Sequence, residues 1–305
     1  MLLEAVQSEL ARDPIKERII FGFDHQYAWP RHLRELARIK ALSWRDGLLA
    51  LANGHSGLPT LGGPWDYCRH FNYAVAPMPA FWSPVQVHAE HFGVPSQRPF
   101  IPFDSRYRIV EQVLVLSGHD LSSAEVVGEI GSVAGQTLCG LLQLVSLMKS
   151  QLSKRIAFWP FDGLDIENEA YTNKHVCVEI YPSIYADRDW PVPEAVLTEE
   201  HDRDAWRACR FIQHADRAAI PDRVTPRNLR ELMHLSDLPA GIHQDVHREG
   251  WILGVLPERN RVLLAGIISK WSQLDVSVQH ELEQQVFGKH RPDDPTRRQE
   301  LDGNR

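Results

Sequence analysis

Long hydrophobic runs are missing from this chain of 305 residues. The longest apolar stretch, Leu138 to Met148, is interrupted by Gly140, Gln143 and Ser146, and it falls short of the ~20 residues that a membrane-spanning helix needs. No membrane partner is therefore expected. Cysteine is scarce: Cys68, Cys139, Cys177 and Cys209 are far apart and in unrelated contexts. That spacing matches neither a disulfide framework nor a Cys-x-x-Cys zinc site, and buried or half-buried free thiols are expected. Positive charge is in deficit, with a formal net charge of -7, which argues against a broad electrostatic grip on duplex DNA and leaves room only for local nucleic-acid contact. Met1-Leu2-Leu3 leads straight into Glu4 without a basic start or a small-residue cleavage site, so no signal peptide is expected and a cytoplasmic location is the default. Internal repeats and a Gly-x-Ser-x-Gly elbow are also lacking.

What the chain does have is 43% hydrophobic and 24% charged residues, enough for one large core or two modest ones. The run Arg18 to Pro30 organises the rest. Its apolar part reads as a buried strand ending on Asp24, and Trp29-Pro30 turns the chain into a helix. Asp24 is then either a carboxylate at a sheet edge or a cap for the helix that begins near Arg31. Leu33, Leu36, Ala37, Ala41, Trp44, Leu48 and Leu51 keep one face of a long helix apolar until Asn53-Gly54. Between about 55 and 102, prolines alternate with Trp65, Tyr67, Phe71, Tyr73, Phe81, Trp82 and Phe92. This composition predicts an ordered insertion, suited to a lid or a pocket wall. Asp104 to Leu116 carries Arg106, Arg108 and Glu111 and fits a helix or a strand.

Gly131 to Leu141 passes from a glycine-rich turn into an apolar helix. Such a start can hold an anion on its backbone amides or simply allow close packing, and it lacks the Gly-x-x-x-x-Gly-Lys-Ser/Thr pattern. Ile156 to Pro160 reads as a short strand. His175 to Ser183 reads as a β-branched strand carrying Glu179, a carboxylate that needs a partner if buried: a metal ion, an arginine, or the solvent face of the sheet. Glu199 to Ile212 opens a helix with Asp202 and Asp204 beside a stripe of Ala205, Ala208, Cys209, Ile212 and Ala215. Pro226 to Leu235 predicts a short helix, Arg261 to Ile267 a strand, and Ser277 to Phe287 a helix, followed by a charged tail over 288–305.

Asp24, Glu179 and Asp202 or Asp204 are acidic stations of the kind that Mg²⁺ or Mn²⁺ takes as oxygen ligands. The ordered set of Gly22-Phe-Asp24 through Pro30, Gly131 to Gln136, Trp159-Pro-Phe, Glu179-Ile-Tyr-Pro-Ser183, the Asp-rich helix start and Glu249-Gly-Trp-Ile-Leu resembles the DUF429 family of uncharacterised proteins, which is expected to adopt a ribonuclease H-like fold. The likeness spans Arg18 to Val255 in scattered blocks. It implies an α/β fold, a ribonuclease H-like mixed sheet flanked by helices, in one domain over 1–287. It also implies Mg²⁺ or Mn²⁺ between acidic residues at one sheet edge. Asp24, Glu179 and Asp204 would be the catalytic ligands, with Asp202 as the rival of Asp204, and two metal ions about 4 Å apart would support phosphodiester hydrolysis. Glu249 matches a block without an assignable role. One departure weighs against this. Proteins of that fold begin with a hairpin whose first strand supplies a principal aspartate, whereas here a helix directly precedes the Asp24 strand. Either the chain starts further upstream or it is a shortened relative with a weakened or absent metal site.

Three functions compete: a divalent-metal-dependent phosphodiester hydrolase acting on nucleic acid or another phosphodiester; a non-catalytic binding or scaffold protein with the aromatic segment as its contact surface; and a small-molecule enzyme using His55, His70, His88 and His91. His88 and His91 are three apart and share a helical face, but no second ligand pair accompanies them.

Overall fold

A computed structural model of the chain describes residues 2–12, 18–99, 101, 103–119, 121–128, 133–185, 200–217 and 228–269. The chain divides into a unit from Met1 to Arg261 and a second beginning at Val262. In the first, α1 (Leu2–Arg12) and β1 (Ile20–Phe23) precede a run of helices: α2 (Arg31–Leu36), α3 (Trp44–Ala52), α4 (Pro64–Ala74), α5 (Gln86–Phe92), α6 (Phe103–Arg106), α7 (Ile109–Leu116) and α8 (Ala134–Lys149). Then come β2 (Ile156–Phe158), β3 (His175–Glu179), α9 (Glu200–Arg217), α10 (Leu229–Leu232) and α11 (Ala240–Glu249). No helix among the described residues is long and apolar enough to cross a membrane.

The α/β class expected from the sequence is what the chain adopts, but the sheet is small and, among the described residues, parallel throughout rather than mixed. Its order is β1-β3-β2. β3 lies in the middle, paired Ile20 to Val176 and Phe23 to Glu179 on one side and Phe158 to Cys177 on the other. All five residues of β3 are buried, while the four of β1 are only half-buried. The opening strand is thus a sheet edge. Continuous burial is what a parallel strand covered on both faces requires, and it explains the unbroken Val-Cys-Val run.

Where one long helix is expected from Arg31 to Leu51, the chain makes two. Arg38 takes a left-handed conformation at φ 57°, and Ser43 opens a new helix by accepting a hydrogen bond from Asp46 N at 3.2 Å. The bend lets both halves bury their apolar faces, Leu33 and Ala37 on one side and Trp44, Leu48 and Leu51 on the other.

Part of the aromatic segment is core rather than lid, while Trp65 and Tyr73 stay at the surface. Tyr67, Phe71 and Phe81 are fully buried against Trp29, with Trp29–Phe71 and Phe71–Phe81 centroids 5.5 and 5.3 Å apart in edge-on pairs. Fully burying each such ring contributes about 1.5–3 kcal/mol, more than a hinged lid can give up each time it opens. Asn72 fixes the segment: its Oδ1 accepts from Ala80 N and Phe81 N at 2.8 and 2.9 Å, and its Nδ2 donates to Phe81 O at 2.7 Å.

α8 carries Leu138, Leu141, Leu144 and Leu147 on its buried face. At Gly140 it touches the loop after β1, where an added Cβ would stand 2.3 Å from the His25 ring. Gly140→Ala is therefore expected to lose about 1–3 kcal/mol to overpacking, checked by urea unfolding; wild-type stability would contradict the close approach. α9 buries Ala208, Phe211 and Ala215, with Phe211 stacked on Tyr185 at 4.5 Å. Of the expected stripe Ala208 and Ala215 are buried and Ile212 half-buried, whereas Ala205 and Cys209 are exposed and Phe211 takes part in their place.

Asp104 to Leu116 resolves into α6 and α7. The expected strand at 261–267 lies instead in a helix over 261–269, a short apolar run whose period alone does not separate the two. Of the thiols, Cys68 and Cys177 are buried, but Cys139 and Cys209 are exposed, and all four are free. Gly131, Ser132 and the expected elements over 277–287 and 288–305 lie outside the described residues, and so does the expected domain end at 287.

Candidate functional site

Ligands of open parallel sheets gather at the carboxyl ends of the strands, and here β3 ends on Glu179. A buried carboxylate there must be compensated. Arg108, the residue immediately before α7, supplies the compensation as a two-toothed fork. Its Nη1 donates to Glu179 Oε2 at 2.7 Å and its Nη2 to Oε1 at 2.5 Å. The backbone N–H of Tyr27 adds a third donor to Oε2 at 3.0 Å. Of the three partners that the sequence left open for Glu179, the structure places the arginine.

The fork is one part of a larger buried network. Arg108 Nη2 also donates to Glu111 Oε1 at 3.0 Å, and Glu111 Oε2 accepts from the backbone N of Arg108 at 2.8 Å, an arrangement that ties down the first turn of α7. Gln26 Nε2 donates to Glu111 Oε1 at 2.5 Å and its Oε1 accepts from Thr137 on α8 at 3.3 Å. On the other side Arg108 Nη1 reaches Glu249 O at 3.0 Å. The Glu249 carboxylate accepts from Arg34 Nη2 at 2.6 Å and from Ile109 N at 3.1 Å. Glu111, Glu179 and Glu249, with Arg34 and Arg108, are all buried.

Three buried carboxylates face two buried guanidiniums. Burial pushes the Glu179 carboxyl above its ordinary range against the pull of Arg108. Burial likewise raises Glu249, with Arg34 pulling down and Asp245 adding to the rise. Burial works against the charge on Arg108, but Glu111 and Glu179 outweigh it and hold the guanidinium above its usual value. The segment between β1 and α2 is pinned to the same place, with Tyr27 Oη donating to Val178 O at 2.8 Å and Trp44 Nε1 to Tyr27 O at 2.7 Å.

Asp24 is exposed, one step beyond the Phe23–Glu179 pair, and its backbone carbonyl accepts from Gln136 Nε2. It does not cap α2, which begins at Arg31 after Pro30. Asp204, half-buried on α9, pairs with Arg207 Nη1 at 3.3 Å. Asp202 is exposed on the same helix. Among the described residues no group of three or more His, Cys, Asp or Glu is placed to hold a metal ion, and both oxygens of Glu179, one of the expected ligands, are taken by Arg108 and Tyr27. His88, half-buried, and His91, exposed, do share α5, and both rings lie against Phe92.

The residues that sequence reasoning passed over are Arg108, Glu111, Gln26 and Arg34. One signal was available: Glu111 and Gln112 interrupt the apolar run Ile109–Leu116, and an arginine stands three places before Glu111. No protein-family model, curated protein or solved structure matches this chain.

Proposed function

We propose that the chain is a non-catalytic binding or scaffold protein of ribonuclease H-like architecture, in which an arginine stands where a catalytic member of that fold would keep its cation. The observation that carries this reading is the saturation of Glu179: three donors from Arg108 and Tyr27 occupy both oxygens. A guanidinium fork satisfies a carboxylate bidentately and, unlike Mg²⁺, offers no Lewis acidity or bound water. The contact surface is the outer side of α4 and α5. There Trp65 stacks on Phe92 at 4.4 Å while remaining 39% exposed, and Tyr73 is 70% exposed. Large aromatic side chains left at the surface suit a protein partner.

The test is a calorimetric titration with Mg²⁺ and Mn²⁺ on the wild type and on Asp24→Asn, alongside hydrolysis of bis(p-nitrophenyl) phosphate. The expected result is no heat that depends on Asp24 and no turnover. Mn²⁺-dependent hydrolysis lost in Asp24→Asn would overturn the reading and restore the metal-dependent phosphodiester hydrolase, with Asp24, Glu179 and Asp204 as its ligands.

A further inference from the structure

The turn between α10 and α11 holds an imidazole between two carboxylates. His234 Nδ1 lies 2.9 Å from Asp165 Oδ1, and His234 Nε2 lies 3.8 Å from Asp237 Oδ1. The first contact fixes the tautomer of the neutral ring, because a lone pair at that distance would face a carboxylate. Nδ1 therefore carries the proton and Nε2 keeps its lone pair. Asp165 is itself pinned by the backbone: its Oδ1 accepts from Leu235 N at 3.1 Å and Ser236 N at 3.3 Å, and Ser236 Oγ donates to its Oδ2. Around them Leu235 N donates to Leu164 O at 3.1 Å and Ile166 N to Met233 O at 3.2 Å, an antiparallel bridge that sets Asp165 against His234. The other side of the ring is open. The side chains of His234 and Asp237 are 45% and 67% exposed, so an ion in solution reaches both. At 3.8 Å, Nε2 and Asp237 Oδ1 are too far apart for a hydrogen bond. They are close to the spacing of two ligands on one zinc ion, since bonds of about 2.0–2.2 Å at a tetrahedral angle put the donor atoms about 3.4 Å apart.

We infer that His234 Nε2 and Asp237 bind Zn²⁺, with Asp165 as a positioning residue that holds the imidazole by its other nitrogen. A carboxylate behind a metal-bound histidine fixes the ring and raises its basicity. An imidazole ligand selects zinc over Mg²⁺, which takes oxygen ligands. Among the described residues no third His, Cys, Asp or Glu completes the shell, so water fills the remaining positions on the ion.

The inference uses neither Asp24 nor Glu179, and its failure would leave the proposed function untouched. The experiment titrates the full chain at about pH 8, above the ordinary histidine range, with zinc chloride and with magnesium chloride. Calorimetry and the ring-nitrogen NMR signals of His234 follow the binding. In the metal-free chain those signals are expected to place the proton on Nδ1. Zn²⁺ should then shift the Nε2 signal and leave the Nδ1 proton in place, and Mg²⁺ should do neither. Asp237→Asn is expected to weaken Zn²⁺ at His234 roughly tenfold or more, and Asp165→Asn roughly tenfold, the usual loss for a supporting carboxylate. Asp165→Asn should also release the tautomer, a readout that loss of structure elsewhere would not give. Circular dichroism and a thermal melt check the fold of both variants, and the tautomer is read on the wild type in any case. A proton on Nε2 in the metal-free chain, a His234 signal that Zn²⁺ leaves unmoved, an equal response to Mg²⁺, or Zn²⁺ binding unchanged in folded Asp237→Asn overturns the inference.

Discussion

Arg108→Met is expected to lower stability by about 3–5 kcal/mol, the usual loss when one partner of a buried ion pair is removed. Against a typical total of about 5–15 kcal/mol, this is enough to leave a sizeable unfolded fraction. Glu179 and Glu111, both buried, would lose their guanidinium donor. The double variant Arg108→Met with Glu179→Gln should recover part of the loss, because it removes one stranded charge. Urea unfolding of the three proteins measures both effects. A loss under about 1 kcal/mol for Arg108→Met would show that solvent reaches the pair.

Acid is expected to weaken the fold through His32 while a buried glutamate pulls the other way. His32 is buried in α2, and burial lowers its pKa from 6.5 to about 4. As pH falls below 6.5 the unfolded chain takes up a proton that the folded chain refuses until about 4, so stability drops across that window by about 3 kcal/mol. His25 is lowered in the same direction, again by burial, but a hydrogen bond with Gln26 and the charge of Arg108 also act on it; His32 is the cleaner probe. Glu125 has the opposite sign. Burial raises its carboxyl to about 7, against the pull of Ser123, its own backbone N–H and Arg98, and with Glu111 adding to the rise. Arg106 approaches no closer than 4.0 Å. The folded chain holds this proton more tightly, so stability conferred below pH 4.5 is lost as pH rises toward 7, again by about 3 kcal/mol. Urea midpoints from pH 4 to 8 should fall less steeply toward acid in His32→Gln than in the wild type, and Glu125→Gln should gain most above pH 7. Curves parallel to the wild type would show that neither residue titrates as its burial requires.

Much of the fold could be read from residue patterns, because its signals are local. The β-branched run around Val176 and Val178, the short apolar run before Asp24 and the Leu spacing of α8 each announce their element within a window of ten residues or so. The break at Arg38 was not legible, since nothing in that residue type demands a left-handed backbone. The aromatic segment gave its order away but not its burial, because Tyr67 and Phe71 find Trp29 only in three dimensions. The site was harder still. That Glu179 needed a partner followed from its strand; that the partner is Arg108, 71 residues away, did not. Acidic residues in family-like order suggested a metal ion, and only the geometry reveals that Arg108 meets Glu179.

The parallel pairing of β1 with β3 also bears on how the chain is made. Ile20 meets Val176, so the first strand has no sheet partner until more than half of the protein has been synthesised. At about 5–20 residues per second, that wait is roughly 10–30 s, during which Ile20, Phe21 and Phe23 must be sheltered by the helices that follow them or by a chaperone. A nascent chain stalled before His175 should therefore be protease-sensitive at its N-terminal strand, and one stalled far enough past Glu179 for that strand to leave the ribosome should be protected.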